Sequence, residues 1–437
     1  MEYDALVIGA GPTGLTAAVL LARAGMQVQV LEAKPGPDFR VRAIGVTPPS
    51  LEILQSVGVA DSLVRLGTAV REALVFDESR LLHTLRFDGI HPDFPFILSV
   101  PQGHTETVLR EAVAVHDNLK ISWGTRVVSL TEAAPVTTNV SQKAAASGYI
   151  ARTEAGHTVS AGRVIVCTGS SGEPLLPNPL RLDKRYRHRF LIGDYPDTGA
   201  LGARAVLVFT PDGSVESFPL ADGFRRWIVQ LPTRYRNSLL DAELADRLIR
   251  ERVRLRAGKV LRDSLPAGTP QWWSSFQPQR RERRVFRSGD VFFAGDAAHT
   301  MSPIGGQGMN TGIADAELAA HLIAHEAGLL SSEGLAQGRQ HAVPDYAAVR
   351  RRAYRAAADR AAVSMAVGAA TGNIVSKIRS TAIRLLLSRL PDHTVASHFA
   401  MLTIPGRRSA LSSSFSENRE FHDTQKKQTR PLESQPM

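Results

Sequence analysis

The chain opens with apolar runs and a helix-like spacing that together predict a strand, a helix and a second strand, a βαβ unit. DALVIG predicts a buried strand, the residues from Pro12 to Ala24 predict a helix, and VQVLEA predicts a second strand that ends at Glu32. The apolar runs RVIVCTG and VFFAGD predict two more buried strands much further along. Strands of this kind therefore recur near residues 3, 28, 163 and 291, which indicates one α/β sheet assembled from distant segments.

A second pattern lies between these strands. EALVF, SVESFPL and RRWIVQLP alternate apolar and polar residues, with turn signals such as PDG and ADG between them, and predict a separate antiparallel sheet. ISWGTRVVSL and YIARTEAGHTVS predict a hairpin. Helices are predicted at PPSLEILQSVGV, from Thr105 to Val113, from Gln307 to Glu326, and over most of the chain up to about Leu390.

The first candidate site is a glycine motif between the two amino-terminal strands. Gly9, Gly11 and Gly14 form G-x-G-x-x-G, and Glu32 follows Gly14 by eighteen residues. Such glycines allow a tight turn, a close approach of the backbone to a pyrophosphate, and contact between helix and strand. An acid at the end of the second strand accepts ribose hydroxyls and disfavours a 2′-phosphate. The motif predicts an adenine dinucleotide, either FAD or NAD.

The second candidate site is GDAAHTMSPIGGQGMN, nearly 300 residues later. Asp296 ends a buried strand, Pro303 restricts the loop, and the next glycines leave backbone amides uncovered before a helix begins; these glycines are Gly305, Gly306 and Gly308. Oriented N–H groups at a helix start stabilise an anion such as a reduced flavin. Because NAD has neither a polyol chain nor such an anion, this loop favours FAD.

These stretches resemble those of the FAD-dependent aromatic hydroxylases, the group A flavoprotein monooxygenases similar to p-hydroxybenzoate hydroxylase. VIGAGPTGLTAAVLLARAGMQVQVLEA, RAIGVTPPSLEILQSVGV, VPQGHTETVLREA and VFFAGDAAHTMSPIGGQGMNTGIADAELA carry the resemblance. It implies that Glu32 binds the adenosine ribose, that Arg42 and Gln102 contact FAD, and that Asp296 binds the ribityl chain. It also places the loop from Pro303 to Met309, with Gly306 and Gly308, under the isoalloxazine.

The resemblance implies an FAD-dependent monooxygenase. NAD(P)H would reduce the flavin, O2 would add to give a C4a-hydroperoxyflavin, and an aromatic or polyketide-like small molecule would be hydroxylated or epoxidised. One motif departs from the family: Thr168-Gly169 or Ser171-Gly172 stands where these hydroxylases usually have Asp-Gly. The alternatives left open are an FAD-dependent reductase, dehydrogenase or halogenase on this scaffold, and a flavin-binding protein without turnover.

Composition narrows the remaining classes. The single cysteine argues against a disulfide framework or a multi-thiolate metal site and suits a reducing compartment, and the acidic amino terminus shows no export signal; we expect a cytoplasmic protein without a metal. The net charge of +10 comes mostly from arginine, and the group formed by Arg350, Arg351, Arg352, Arg355 and Arg360 predicts a solvated helix face. No nucleic-acid motif accompanies these charges. KIRSTAIRLLLSRL leaves peripheral membrane contact open.

The fold class is therefore α/β, with a Rossmann-like FAD-binding domain interrupted by an antiparallel β-sheet substrate domain and followed by C-terminal helices. The predicted boundaries are 1–70, 99–178 and 285–340 for the composite FAD-binding domain, 71–98 and 179–284 for the substrate domain, 341–405 for the helices, and 406–437 for a disordered tail.

Overall fold

The structure is a computed structural model that describes residues 1–36, 43–78, 80–133, 148–170, 175–235, 237–330 and 343–405. The predicted disordered tail lies outside these residues. The helices are α1 Pro12–Arg23, α2 Pro48–Ser56, α3 Ala60–Leu66, α4 Gln102–Ala114, α5 Ala242–Ala257, α6 Gln307–Glu326, α7 Tyr346–Ala369, α8 Asn373–Arg389 and α9 Asp392–Phe399.

The strands, in chain order, are β1 Tyr3–Ile8, β2 Val28–Leu31, β3 Gly45–Val46, β4 Thr68–Val70, β5 Glu72–Asp77, β6 Arg80–Arg86, β7 Ile97–Ser99, β8 Leu119–Ser122, β9 Val127–Glu132, β10 Tyr149–Thr153, β11 Thr158–Val166, β12 Leu180–Arg185, β13 Phe190–Pro196, β14 Ala205–Thr210, β15 Gly213–Pro219, β16 Phe224–Gln230, β17 Trp272–Phe276, β18 Gln279–Arg283, β19 Arg287–Ser288, β20 Val291–Phe293 and β21 His299–Thr300.

The predicted nucleotide fold is present as a parallel sheet in the order β20-β11-β1-β2-β8, with β19 antiparallel at one edge. β1 is buried along four consecutive residues and β2 along its whole length, because helices cover both faces of a parallel sheet. α1 packs against β1 and β2, α4 packs against α1 and β8, and α6 packs against α1. The carboxyl ends of β1, β2, β11 and β20 therefore meet at one edge, where ligands bind in such folds.

β11 is longer than the sequence pattern suggested. The predicted hairpin strand ending in HTVS and the predicted strand RVIV form a single nine-residue strand. Its first half pairs antiparallel with β10, and its second half pairs parallel with β1. Alanine and glycine between the two halves interrupt the apolar pattern without interrupting the strand.

The second large sheet has the order β17-β13-β16-β15-β14-β5-β6. The expectation of an antiparallel sheet is wrong for one pair, since β14 and β5 run parallel. These two strands lie some 130 residues apart in the chain, so they can pair in parallel or antiparallel orientation. The alternation of apolar and polar residues within each strand does not indicate which orientation is formed. α5 covers one face of this sheet, with buried Leu248, Ile249 and Val253 facing the strands.

Two small sheets lie between the large ones. One consists of β3, β7 and β4, and the other of β12, β18 and β21. Each small sheet therefore joins segments that are distant in the chain. α7 contributes Tyr346 and Tyr354 to the core of the parallel sheet, and α9 packs Val395 and Ala396 against the second sheet. Within the described residues, we find no helix that combines the length and the apolarity needed to cross a bilayer.

Candidate functional site

The first glycine loop connects β1 to α1 and depends on two glycines for steric reasons. Gly9 has φ of +111°, and a Cβ there would stand 2.3 Å from the carbonyl oxygen of Cys167. A Cβ on Gly14 would stand 2.0 Å from the carbonyl oxygen of Gly9. No heavy atom lies within 4 Å of a Cβ built on Gly11, so the backbone is open where α1 begins. Gly11 and the uncovered first-turn N–H groups thus leave room for a phosphate.

Glu32 follows β2 and reaches back to the same loop. Its Oε2 accepts the N–H of Ala10 at 2.6 Å, and its Oε1 accepts the N–H of Lys34 at 2.9 Å. Each carboxylate oxygen has two acceptor positions, so both oxygens retain capacity for further donors. The fixed carboxylate therefore has the chemistry needed to bind a ribose diol beside the glycine loop.

The second loop packs directly onto the first. The Thr13 side chain at the start of α1 lies against Gly295 and Gly312, where added Cβ atoms would stand 2.9 Å and 2.4 Å from Thr13 Oγ1. Only glycine fits at these two positions with Thr13 in place, because the hydroxyl would be closer than van der Waals contact. Two segments nearly 300 residues apart thus form one site at the edge of the parallel sheet.

The amino terminus of α6 forms an open cradle in this second loop. Gly306 has φ of +66° and is exposed, and Pro303 before it is exposed as well. No heavy atom lies within 4 Å of Cβ atoms built on Gly306 or Gly308, while Met309 is half-buried against the core. Gln307 is buried, and its Oε1 has no hydrogen-bond partner among the described residues. These groups can receive a polar, planar ligand such as an isoalloxazine ring.

Asn310 ties this cradle to the neighbouring segment. Its Oδ1 accepts the N–H of Thr47 at 3.0 Å, and its Nδ2 donates to the carbonyl oxygens of Gly45 and Gly306. Segment 43–46 in turn accepts the N–H of Gln102 through Ala43 at 3.0 Å. Gln102 begins α4, and its amide donates to Glu106 at 2.9 Å. Gln102 is thus linked to the second loop through one intervening segment.

Asp296 occupies the turn after β20, as the pattern predicted. Its side chain is exposed to solvent, yet protein surrounds it closely, and this loss of hydration raises the pKa of its carboxyl above the ordinary value. A carboxylate in such a place can accept hydrogen bonds from a polyol chain.

A cluster of buried charged residues holds this turn in place through Gly295. Asp315 is completely buried and accepts the N–H of Gly295 at 2.8 Å and the Nε2 of His299 at 2.7 Å, while Arg350 donates Nε to its other oxygen. Burial alone would raise the pKa of Asp315, but the charges of Arg350 and His299 and their hydrogen bonds lower it below the ordinary value. The ring of His299 also stacks on Tyr354, with centroids 4.6 Å apart. His299 therefore stabilises the loop.

The arginine stretch of α7 is not the solvated face that its composition predicted. Arg350 is buried beside Asp315, and Arg351 and Arg355 both contact the buried carboxylate of Glu282. Only Arg352 of this group is exposed. Along α7, the arginines alternate with buried alanines and tyrosines. The arginine side chains therefore extend away from these residues toward acids on other elements.

An apolar group on the second sheet faces the second loop. Ile304 of the loop and Met365 of α7 pack against one sheet face; the cluster also includes Phe190, Ile192, Ile228, Trp272 and Phe276. Tyr195 lies on the opposite face, where its hydroxyl donates to Asp246 at 2.7 Å. Arg226 lies on the loop-facing side and donates two 2.7 Å hydrogen bonds to Asp194. Of these two residues, only Arg226 is on the side of the loop.

The end of β11 lies next to the first glycine loop. Cys167 is buried, and burial raises the pKa of its thiol, so it behaves as a small apolar residue. Thr168 follows it, and Gly169 has φ of +73°. The glycine turn of the altered motif is therefore retained at this position, while Ser171-Gly172 and Arg42 lie outside the described residues.

Several residues that build the site carried no signal that sequence reasoning used. Thr13 and Asn310 lie within the quoted motifs, and their value as small polar side chains beside glycines could have been noticed. Asp315 and Arg350 meet from two helices 35 residues apart, and nothing local marks either one.

Together, the two loops fit FAD. The open glycine backbones, the two helix amino termini, the Glu32 carboxylate and the unpaired Gln307 oxygen supply the donors and acceptors that its phosphates, ribose and ring system need.

Comparisons with known proteins agree with this fit. A family profile described as "FAD binding domain" matches residues 2–353. The chain is 34% identical over 316 residues to 6-methylpretetramide 4-monooxygenase of Streptomyces rimosus, covering 71% of this chain and 54% of that protein. It is 28% identical to para-nitrophenol 4-monooxygenase of Pseudomonas sp. strain WBC-3, covering 73% and 77%. The chain spans little more than half the length of several of its curated relatives.

Solved structures share the fold. That of p-nitrophenol 4-monooxygenase from Pseudomonas putida DLL-E4 superposes with a TM-score of 0.74 at 22% identity and covers 94% of this chain and 99% of its own. A ternary complex of aklavinone-11 hydroxylase with FAD and aklavinone superposes with a TM-score of 0.66 at 23% identity, covering 84% and 69%.

Proposed function

The chain belongs to the FAD binding domain family, that of the FAD-dependent aromatic hydroxylases, and from this we propose that it is an FAD-dependent monooxygenase. It would use NAD(P)H and O2 to hydroxylate or epoxidise an aromatic or polyketide-like small molecule. The observation that carries the proposal is the contact of the two glycine loops through Thr13. One FAD can then be held by its phosphates at α1 and by its ring at α6.

We assign the binding roles as follows. Gly9, Gly11 and Gly14 would form the loop that holds the diphosphate, with Gly9 and Gly14 needed for its packing and Gly11 open to the phosphates, and Glu32 would accept the ribose hydroxyls. Asp296 would accept from the ribityl chain, and Gln102 and Arg42 would contact the cofactor. Pro303, Gly306, Gly308 and Met309 would support the ring, and the N–H groups at the start of α6 would stabilise negative charge on it.

The division of labour between the two sheets is part of the proposal. The parallel sheet, with its helices, would form the composite FAD-binding domain, and the mixed sheet would form the substrate domain. When bound, FAD supplies the redox chemistry with hydride and oxygen. The apolar face around Ile304 would hold the aromatic substrate against the ring and keep water away.

The cofactor assignment can be tested with substitutions that should not harm the fold. Gly11→Ala and Gly308→Ala each add a methyl group where no atom stands within 4 Å, and neither position has a positive φ. At Gly308, alanine even favours the helix by about 1 kcal/mol. We expect both variants to fold with at least wild-type thermal stability without FAD and to bind FAD at least tenfold more weakly, measured by titration of protein fluorescence. Normal FAD affinity in both variants would contradict the cradle.

The reaction can be tested on the wild-type holoprotein. NADH or NADPH should bleach the flavin without air, and an aromatic substrate should gain an oxygen atom derived from 18O2. Because the Asp-Gly motif is replaced, a reductase or dehydrogenase remains the second candidate. It would be favoured if an organic donor alone bleached the flavin and no oxygenated product formed under air.

A further inference from the structure

Glu216 is a buried carboxylate that has no partner among the described residues. It lies on β15, an inner strand of the mixed sheet, and is 7% exposed. In the part of the chain that the structure describes, no hydrogen bond or ion pair reaches its carboxylate. Burying a carboxylate without compensation is costly, so such a group calls for a functional explanation.

The strand register places Glu216 on the sheet face that bears the apolar group around Ile304. Glu216 pairs with Leu207 on one side and with Ile228 on the other, and Ile228 pairs in turn with Ile192. Directly paired residues point to the same face of a sheet. Because Ile228 and Ile192 pack in the cluster that includes Ile304, Glu216 lies on the sheet face that the second loop contacts.

Each end of β15 contacts a neighbouring segment of the protein. Near its start, Ser214 lies 4.0 Å from a Cβ built on Gly368 of α7. At its end, the carbonyl oxygen of Pro219 accepts the hydroxyl of Ser99 at 2.6 Å, next to the segment tied to α6. Along β15, Glu216 lies between these two contacts.

The surroundings of Glu216 are apolar and partly open. Leu207, Phe218 and Ile228 are only half-buried although they lie on inner strands, so this part of the face is incompletely covered and can border a ligand pocket. Leu207 and Phe218 also pack beside Val395 and Ala396 of α9. Arg226 lies on the same face, two residues from Ile228 along β16, and is already paired with Asp194. A pocket with apolar walls and one uncompensated acceptor binds an aromatic ligand that carries a hydrogen-bond donor.

We propose that Glu216 is the substrate-recognition residue of this pocket and accepts a hydrogen bond from a ring hydroxyl of the substrate. The inference rests on the proposed function and narrows it to hydroxylated aromatic compounds, because a carboxylate repels aromatic acids. Donation from a phenol to an anionic acceptor also increases electron density in the ring, which favours attack by an electrophilic oxygen. Desolvation raises the pKa of Glu216 to about 7, so much of the group is ionised at neutral pH.

The test compares two ligands that differ only in the donor. 1-Naphthol and 1-methoxynaphthalene would be titrated into the FAD-loaded protein and followed by the flavin difference spectrum. The wild type should prefer the phenol at least tenfold, as expected for a hydrogen bond to a charged group. Glu216→Gln, which keeps a neutral acceptor, should show a smaller preference, and Glu216→Leu should show none. Glu72→Gln, an acid on β5 of the same sheet, should match the wild type.

The outcomes separate this inference from the proposed function. A wild type without preference for the phenol, or a Glu216→Leu variant that retains the preference, would overturn the role of Glu216. Continued NAD(P)H- and O2-dependent oxygenation in either case would leave the proposed function intact. Loss of FAD binding or of oxygenation in the wild type would instead count against the proposed function.

Discussion

Asp315 and Glu216 are both buried carboxylates, but their surroundings differ completely. Asp315 receives a backbone N–H, an imidazole nitrogen and a guanidinium, and these partners lower its pKa despite burial. Glu216 has apolar neighbours on both adjacent strands, and desolvation raises its pKa to about 7. A compensated buried charge supports a scaffold, whereas an uncompensated one is available to a ligand.

The comparison also separates two tasks of the molecule. The Asp315 cluster, on α6 and α7, holds the turn that carries Asp296. Glu216 lies on the face of the mixed sheet against which Ile304 of the second loop packs. The rigid part of the site is therefore supplied by two helices, and the selective part by the mixed sheet.

Among the substitutions proposed here, Asp315→Asn is expected to change protein stability most. The amide cannot compensate Arg350, so a buried guanidinium loses its counter-charge, and breaking a buried pair costs about 3–5 kcal/mol. We expect a markedly lower unfolding temperature and loss of FAD during gel filtration, because Gly295 and the turn beside it lose their anchor. A variant with wild-type unfolding temperature and full FAD content would show that the cluster is dispensable.

Glu216→Gln is expected to change stability less, and to stabilise the protein rather than destabilise it. Because the folded-state pKa of Glu216 is raised from about 4.5 to about 7, the folded state is penalised as pH rises through this window. The penalty approaches about 3 kcal/mol above pH 7 and vanishes below pH 4.5. The substitution should therefore raise the unfolding temperature of substrate-free protein at pH 8 and change it little at pH 4.5. Destabilisation at pH 8 would mean that the carboxylate has a structural partner.

The smallest effect is expected for an exposed, partnered acid. Glu154 pairs with Arg126 at 3.7 Å, and both side chains are more than half exposed. Solvent screens such a pair, so Glu154→Gln should change the free energy of unfolding by less than about 0.5 kcal/mol. Chemical denaturation of this variant provides the baseline for the other two, and a loss comparable to that of Asp315→Asn would undermine the role given to burial.

Much of the fold was predictable because its signals are local. The G-x-G-x-x-G motif, Glu32 and the helix from Gln307 to Glu326 stand where the pattern placed them. α5 was missed because its charged residues outnumber the apolar ones that it buries. The solvated arginine face was a wrong interpretation because a helical arginine looks the same in sequence whether it meets water or a distant carboxylate.

The sequence by itself determined the two cofactor loops, since backbone conformation and the absence of a Cβ depend on residue type at a single position. Gly9 and Gly14 have no alternative once β1 and α1 form. Only the tertiary structure decided which acids are compensated and which are not, and which strands of the second sheet run parallel. Ion pairs such as Asp315 with Arg350 and strand pairs such as β14 with β5 join residues far apart in the chain. These contacts contribute free energy only when folding brings the residues together and excludes water between them.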